Sequence, residues 1–356
     1  MGGDVKAKFP GRGNGAEDAL AAGQRFYYNG ASHLLECDTM FNRNEKKALR
    51  FSDFLSADYA RDYIHQDAPY ERQITRAAAL IREAEYVLIG VGAGMSTAAG
   101  AEYGGKFFEE NFAEFRQVYG TGPYMQDMYS AGFYPFPDQE SKWGYWSRQA
   151  LLGGIDLDVT PLHRTLLDAL TDKKTFILST NADRQFDKAG YPAERIFATQ
   201  GYYDRIQCKR GCHPKTYDAT DLFRRMDRAR VKARIPSELV PKCPVCGGDM
   251  EMNLRVDNYF VEDSDWHAAE ERFGRFLSEC VGGKTALLEL GVGFNTPTII
   301  RFPFEKLARQ HENISLVRLS RSKAMVPASL GARAVGINAD MARSITDLAA
   351  ALRNEG

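Results

Sequence analysis

Four cysteines fall in two tight pairs, Cys208 and Cys212 as C-x3-C and Cys243 and Cys246 as C-x2-C, with thirty residues between the pairs. Four thiolates at these separations suit a closed tetrahedral zinc site, and a redox pair is the competing use of such thiols. Gly247 and Gly248 follow the second pair and let the chain fold under a metal. His213, directly after Cys212, could replace a thiolate. Four thiolates already fill the shell, however, and a catalytic zinc keeps an open position, so the expected role is structural.

A second constellation is the turn "GVGAGMSTAAG", with Gly90, Gly92 and Gly94 and then Ser96. Missing side chains let backbone N–H groups approach a pyrophosphate at a helix N-terminus; glycines also serve tight strand-to-helix packing. Ser96 is either a phosphate donor or a helix cap. A third is "FILSTNADRQFDKAG", which puts Asn181 and Asp183 at the exit of an apolar run. There they face a ligand crevice or act as a cap and a turn former. In the crevice they contribute little packing, so alanine at either position is expected to leave thermal unfolding nearly unchanged.

The elements that position these residues are legible as compact apolar runs. "YVLIGVG", starting at Tyr86, breaks from the helical periodicity before it, and further runs lie in "KKTFILSTNAD", "KTALLELGVGFNTP" and "ISLVRLSRS". Helical stretches separate them, so the fold class is α/β, a Rossmann-like parallel-sheet domain. The cysteine segment, with its charged helical stretch "TDLFRRMDRARVKAR", interrupts that alternation as an inserted module. The organisation reads as an N-terminal extension over 1–70, a nucleotide domain over 71–207 and 255–356, and a zinc-ribbon module over 208–254. Within the extension the first dozen residues should fray, structure should begin near Ala16, and Ser52 is a candidate N-cap of a helical stretch.

The chain has 356 residues, 44% of them hydrophobic, enough to bury a sizeable core. Its 46 basic and 47 acidic residues argue against a nucleic-acid partner or an anionic membrane surface. No run approaches the roughly 18 apolar residues that span a bilayer, and no signal peptide is visible, so the expectation is a cytoplasmic protein. Cys37 and Cys280 stand alone and read as small buried thiols.

In order along the chain, Gly92-Ala93-Gly94 with Ser96, Thr180-Asn181-Ala182-Asp183, Gln200-Gly201 and the two cysteine pairs resemble the motifs of the sirtuin (Sir2) family. The similarity covers about residues 71 to 350. It implies NAD as cofactor beside zinc, with Gly92, Ala93, Gly94, Ser96, Thr180, Asn181, Asp183 and Gln200 around it. It further implies that "LGVGFNTP", with Gly291, Gly293 and Asn295, meets ribose and phosphate, and that "RLSRS", with Ser320 and Arg321, meets the adenosine ribose. His163 in "TPLHRTLLDAL" takes the family's orienting position.

Two departures matter. The family's Pro-Asp-Phe-Arg stretch is replaced by "GAEYGGKFFEENF", and its catalytic histidine by Gln200. Both resemble the macrodomain-linked sirtuins, which implies protein ADP-ribosylation, with a lipoylated glycine-cleavage H-like carrier as acceptor. A histidine with a pKa of about 6.5 can take the ribose hydroxyl proton that deacylation requires. A glutamine amide hydrogen-bonds but takes no proton at neutral pH. The expected catalytic set is therefore Asn181 positioning ribose or nucleophile, Asp183 on the nicotinamide carboxamide and Gln200 on ribose hydroxyls. An NAD-dependent deacylase and a silent NAD-binding scaffold are the alternatives. The aromatic stretch "GPYMQDMYSAGFYPFPDQESKWGYWSRQ", with Trp143, Tyr145 and Trp146, reads as a lid over the substrate cleft or as ordinary packing.

Overall fold

The computed structural model describes residues 62–294 and 297–353. The expectations for the extension, including Ser52 and Cys37, therefore lie outside the described residues, as does Asn295.

The four apolar runs form β2 (Tyr86–Val91), β3 (Lys174–Ser179), β8 (Thr285–Leu290) and β9 (Ile314–Ser320), and two strands not anticipated from the sequence, β4 (Ile196–Ala198) and β11 (Ala334–Asn338), complete one parallel sheet in the order β11-β9-β8-β2-β3-β4. Every residue of β2, β8 and β9 is buried, as expected of strands covered on both faces. Their side chains alternate between two cores. Val87, Ile89 and Val91 pack with the helices Tyr70–Glu83, Thr160–Asp168 and Met341–Arg353, whereas Leu88 packs with Ser264–Gly282 and Arg301–Gln310.

The strand order decides where a ligand can sit. From β2 the chain builds outward through β3 and β4, then returns to the other side of β2 and builds outward through β8, β9 and β11. The order reverses between β2 and β8, and the loops after these strands open the crevice in which doubly wound sheets bind ligands. Before the sheet, β1 (Tyr63–Ile64) pairs antiparallel with β10 (Val326–Pro327).

A second unit has a three-stranded antiparallel sheet of β5 (Gly201–Cys208), β6 (Thr216–Asp218) and β7 (Met250–Leu254), in the order β6-β5-β7. The small sheet begins at Gly201, ahead of the first cysteine, and the helix Gln139–Ala150 packs on it with Thr220–Ala229. This settles the aromatic stretch: Trp143 and Tyr145 are wholly buried, so these two rings fill cores instead of covering a cleft. Trp143 stacks on Phe223 with centroids 6.0 Å apart, and Tyr145 lies in a cluster with Phe108, Phe112 and Phe115. Among the described residues no helix is long and apolar enough to cross a membrane.

Candidate active site

The glycines of the first loop lie against the glycine of the second. A Cβ on Gly92 would fall 2.7 Å from the Gly291 carbonyl oxygen, and one on Gly94 2.7 Å from Gly291 Cα. Gly291 has φ +61°, and its own Cβ would meet Gly94 backbone atoms at 2.6 Å. The Gly92 and Gly94 N–H groups donate to the carbonyls of Leu290 (3.0 Å) and Gly291 (3.1 Å). Of the two uses open to this pattern, close packing is what occupies Gly92 and Gly94. Exposed Ala93 opens the short helix Ala93–Ala98.

Ser96 neither caps that helix nor faces solvent. It is buried, and its hydroxyl donates to Asp183 Oδ2 at 2.5 Å. Asn181 Nδ2 donates to Ser96 Oγ and to the Gly92 carbonyl, both at 3.1 Å. Thr180 fastens the segment from which these side chains project, its N–H and hydroxyl both reaching the Val91 carbonyl, at 3.0 and 3.1 Å. Asp183 Oδ1 also accepts from the Gln185 N–H at 3.2 Å, so this carboxylate serves both the turn and the cluster. Burial pushes its pKa up, against the pull of the Ser96 hydrogen bond.

Tyrosines that sequence reasoning missed surround this cluster. Tyr103 sits beside Ser96, and burial first, then the Asp183 charge, push its phenol far above the ordinary range. Its only sequence signal is its place in "AEYGG", the stretch that replaces the family's usual one. Tyr203 donates its N–H to the Ala182 carbonyl at 3.0 Å, and its side chain lies so close to Gly154 that a Cβ there would sit 2.9 Å from Tyr203 Cβ and 3.0 Å from its ring. Arg184, next to Asp183, is held in the left-handed region at φ 55°, stacked on Tyr202 at 3.6 Å and paired with Asp204 at 2.6 Å. Strained non-glycine backbone of this kind concentrates at functional sites.

Gln200 occupies the crossing from β4 to β5. Gly201 behind it has φ +81°, and a Cβ there would fall 2.0 Å from the Asn253 carbonyl oxygen, so this turn admits only glycine. The Gln200 carbonyl accepts from the Arg255 N–H at 3.1 Å, while its half-buried side chain is not hydrogen-bonded to the Ser96 cluster. Gly293 and Arg321 are exposed at the loops after β8 and β9, and Ser320 Oγ accepts from the Lys323 N–H at 3.2 Å. A cleft of 340 Å³ lined by Arg184, Tyr202, Arg205, Trp266 and Arg272 opens beside β4, away from the switch point.

The four cysteines converge as their spacing predicts, with all sulfurs within 4.8 Å of one another. Gly247, at φ +68°, turns the chain beneath them, and Cys243 N–H donates to the Gly248 carbonyl at 2.7 Å. His213 approaches Cys212 Sγ at 3.1 Å, but its other ring nitrogen is engaged by Tyr217 Oη at 2.8 Å. Four soft, convergent donors fit a tetrahedral zinc ion held by Cys208, Cys212, Cys243 and Cys246. Cys280 is the inert buried thiol expected, with burial pushing it up to about 12.

His163 orients structure. Its Nδ1 lies 3.0 Å from the Val159 carbonyl and its ring meets Phe186 edge-on at 4.8 Å. Burial lowers its pKa to about 4 from the ordinary 6.5. Between these values the unfolded chain binds a proton that the folded chain refuses. The stabilisation is therefore complete above about pH 6.5 and is lost as pH falls toward 4. The melting temperature should decline on acidification across that window, with a shallower slope in His163→Gln; identical slopes would remove His163 from the account.

No family model matches the chain. It is 34% identical over 286 residues to a protein ADP-ribosyltransferase of Staphylococcus aureus (strain Mu50 / ATCC 700699), a match covering 80% of this chain and 88% of that protein. The chain belongs to that family. It is also 28% identical over 308 residues to a probable bifunctional ADP-ribose hydrolase/ADP-ribosyltransferase of Fusarium oxysporum f. sp. cubense, covering 82% of this chain and 50% of that protein, so it spans half the length of this longer relative of the family. Among solved structures, a Sir2 homologue–NAD complex matches 83% of the chain at 13% identity with a TM-score of 0.47. A Sir2 enzyme matches 80% at 14% identity with a TM-score of 0.46.

Proposed function

We propose that this chain is an NAD-dependent protein ADP-ribosyltransferase of the sirtuin type, on the macrodomain-linked branch. The observation that carries the reading is the cluster of buried Ser96 and Asp183 with half-buried Asn181 at the switch point, in a chain with glutamine at position 200. In this reaction the bond between nicotinamide and the ribose anomeric carbon breaks, nicotinamide leaves with the bonding pair, and positive charge develops on that carbon. A nucleophile of the acceptor protein forms the new bond and releases its proton to solvent or a neighbouring base. Asn181 holds the ribose or the incoming nucleophile, Asp183 receives the nicotinamide carboxamide, and Gln200 orients ribose hydroxyls without taking a proton. Ala93, Thr180, Gly291, Gly293, Ser320 and Arg321 complete the cofactor surface around Gly92, Gly94 and Ser96, and Asn295 is assigned to the cofactor by the resemblance alone. The acceptor is a carrier of the lipoylated glycine-cleavage H type.

The test is incubation with NAD labelled in its ADP-ribose portion, alongside acylated peptides, with lipoylated carrier as acceptor. Label is expected on the carrier, with nicotinamide released and the peptides left acylated. Gln200→Ala should transfer about two- to tenfold more slowly, the worth of one ribose hydrogen bond. Robust deacylation by the unaltered protein without label on any protein would overturn the assignment, and NAD retention with no turnover would mark a scaffold.

A further inference from the structure

Beneath the loops after β8 and β9 lies a charged cluster shut off from water. Glu289 on β8 and Arg318 on β9 are register neighbours, and their side chains meet at 2.7 Å. Arg318 also meets Glu305 at 2.7 Å, and Arg301 meets Glu289 at 3.1 Å. All four side chains are at most 1% exposed. A buried ion cluster is a weak source of stability, because desolvation offsets much of the attraction and apolar residues of the same volume often serve as well. Arg301 Nε and Nη1 and Arg318 Nε are buried without a hydrogen-bond partner, a cost that a purely stabilising role leaves unexplained.

What the cluster holds is more informative. Arg301 Nη2 donates to the Val292 carbonyl at 3.3 Å and to the Lys323 carbonyl at 2.6 Å, joining the loop after β8 to the loop after β9. Its guanidinium also lies over the Phe294 ring, 4.4 Å from the centroid. Arg318 donates to the Met325 carbonyl farther along the second loop. On the opposite side, Tyr63 of β1 donates its hydroxyl to Glu305. That strand is fastened in turn, since Asp62 accepts from the Ser329 N–H (2.9 Å) and hydroxyl (2.7 Å) and pairs with Arg309 at 2.9 Å.

We propose that Arg301 and Arg318 are positioning residues for the nucleotide, setting the separation of the loops Gly291–Phe294 and Ser320–Met325, and that Tyr63 locks the cluster in that arrangement. The inference rests on the NAD reading above. The guanidinium groups act through loop carbonyls, so their effect falls on nucleotide binding and leaves bond cleavage almost untouched.

The test uses the full chain with Tyr63→Phe, Arg301→Met and Arg301→Lys, measuring Kd for ADP-ribose and NAD by calorimetry, KM and kcat for transfer, and thermal unfolding. Tyr63→Phe should raise both Kd values and KM about two- to tenfold, within the ceiling set by the one hydrogen bond removed, with kcat within about twofold. Arg301→Met should lose more, and Arg301→Lys, which keeps a donor, should recover part of it. Should Arg301→Met fail to fold, Tyr63→Phe still decides. Unchanged Kd and KM in folded Tyr63→Phe, or a fall in kcat at constant KM, would overturn the proposal. Wild-type protein that binds both nucleotides but modifies no protein would defeat the transferase reading while the Kd comparison still stands. Wild type that binds neither would defeat both.

Discussion

Asp183→Ala should release nicotinamide about a hundred- to a thousandfold more slowly than wild type, the scale set by removal of one oriented group from a site of developing charge. Asn181→Ala should fall in the same range. The unfolding behaviour separates the two. Asp183 is only 6% exposed, and its loss strips Ser96 of its acceptor and the Gln185 N–H of its partner. Each donor left buried and unpaired costs about 1–3 kcal/mol. The sequence-based expectation of nearly unchanged unfolding therefore does not carry over to Asp183: its alanine variant should melt measurably lower, and Asp183→Asn, which keeps the volume, should melt closer to wild type while remaining slow. Nicotinamide release beside a thermal scan reads both. Full activity in either alanine variant would remove the roles assigned here.

The second large effect is on the metal. Purified protein should hold one zinc per chain, and Cys243→Ser should lose both the zinc and the packing of the small unit. Structural zinc in small modules supplies about 10–16 kcal/mol of apparent binding energy, which is also folding energy. Here Cys208 and Cys243 are themselves core residues, packed with Trp143, Phe223 and Met250. Elemental analysis gives the zinc content, and the fluorescence and near-ultraviolet circular dichroism of Cys243→Ser compared with wild type, each also in a Trp143→Phe background, give the packing around Trp143. Because β5 runs from Gly201 directly to Cys208, the loss should also reach Gln200 and slow transfer. Freshly purified, unchelated protein that is metal-free yet fully folded would defeat the prediction.

The strands were legible because burial on both faces leaves an unbroken apolar signature, as in the β2 run Tyr86–Val91. The cysteines were legible because a metal dictates ligand type and spacing. Glu289 and Arg318 were hidden inside such apolar runs, where a charge ordinarily argues for exposure; only the pairing of β8 with β9 brings them together. Trp143 and Tyr145 carried no mark distinguishing a lid from a core, since an aromatic ring suits both and the deciding partners, Phe223 for Trp143 and Phe112 and Phe115 for Tyr145, come from other segments of the chain. Tyr103 was invisible for a related reason: the Asp183 charge that acts on it comes from a segment about eighty residues away in the chain.

The interlock of Gly92, Gly94 and Gly291 bears on how related sequences should be interpreted. A side chain at any of the three would strike backbone of the facing loop, so a descendant that had lost its chemistry would still be selected to keep these glycines merely to stay folded. The pattern that advertises a nucleotide site is thus a record of backbone fit and says little about turnover. Ser96, Asn181 and Asp183 bind one another through side chains, and it is their retention or loss that should divide working enzymes from inherited shells.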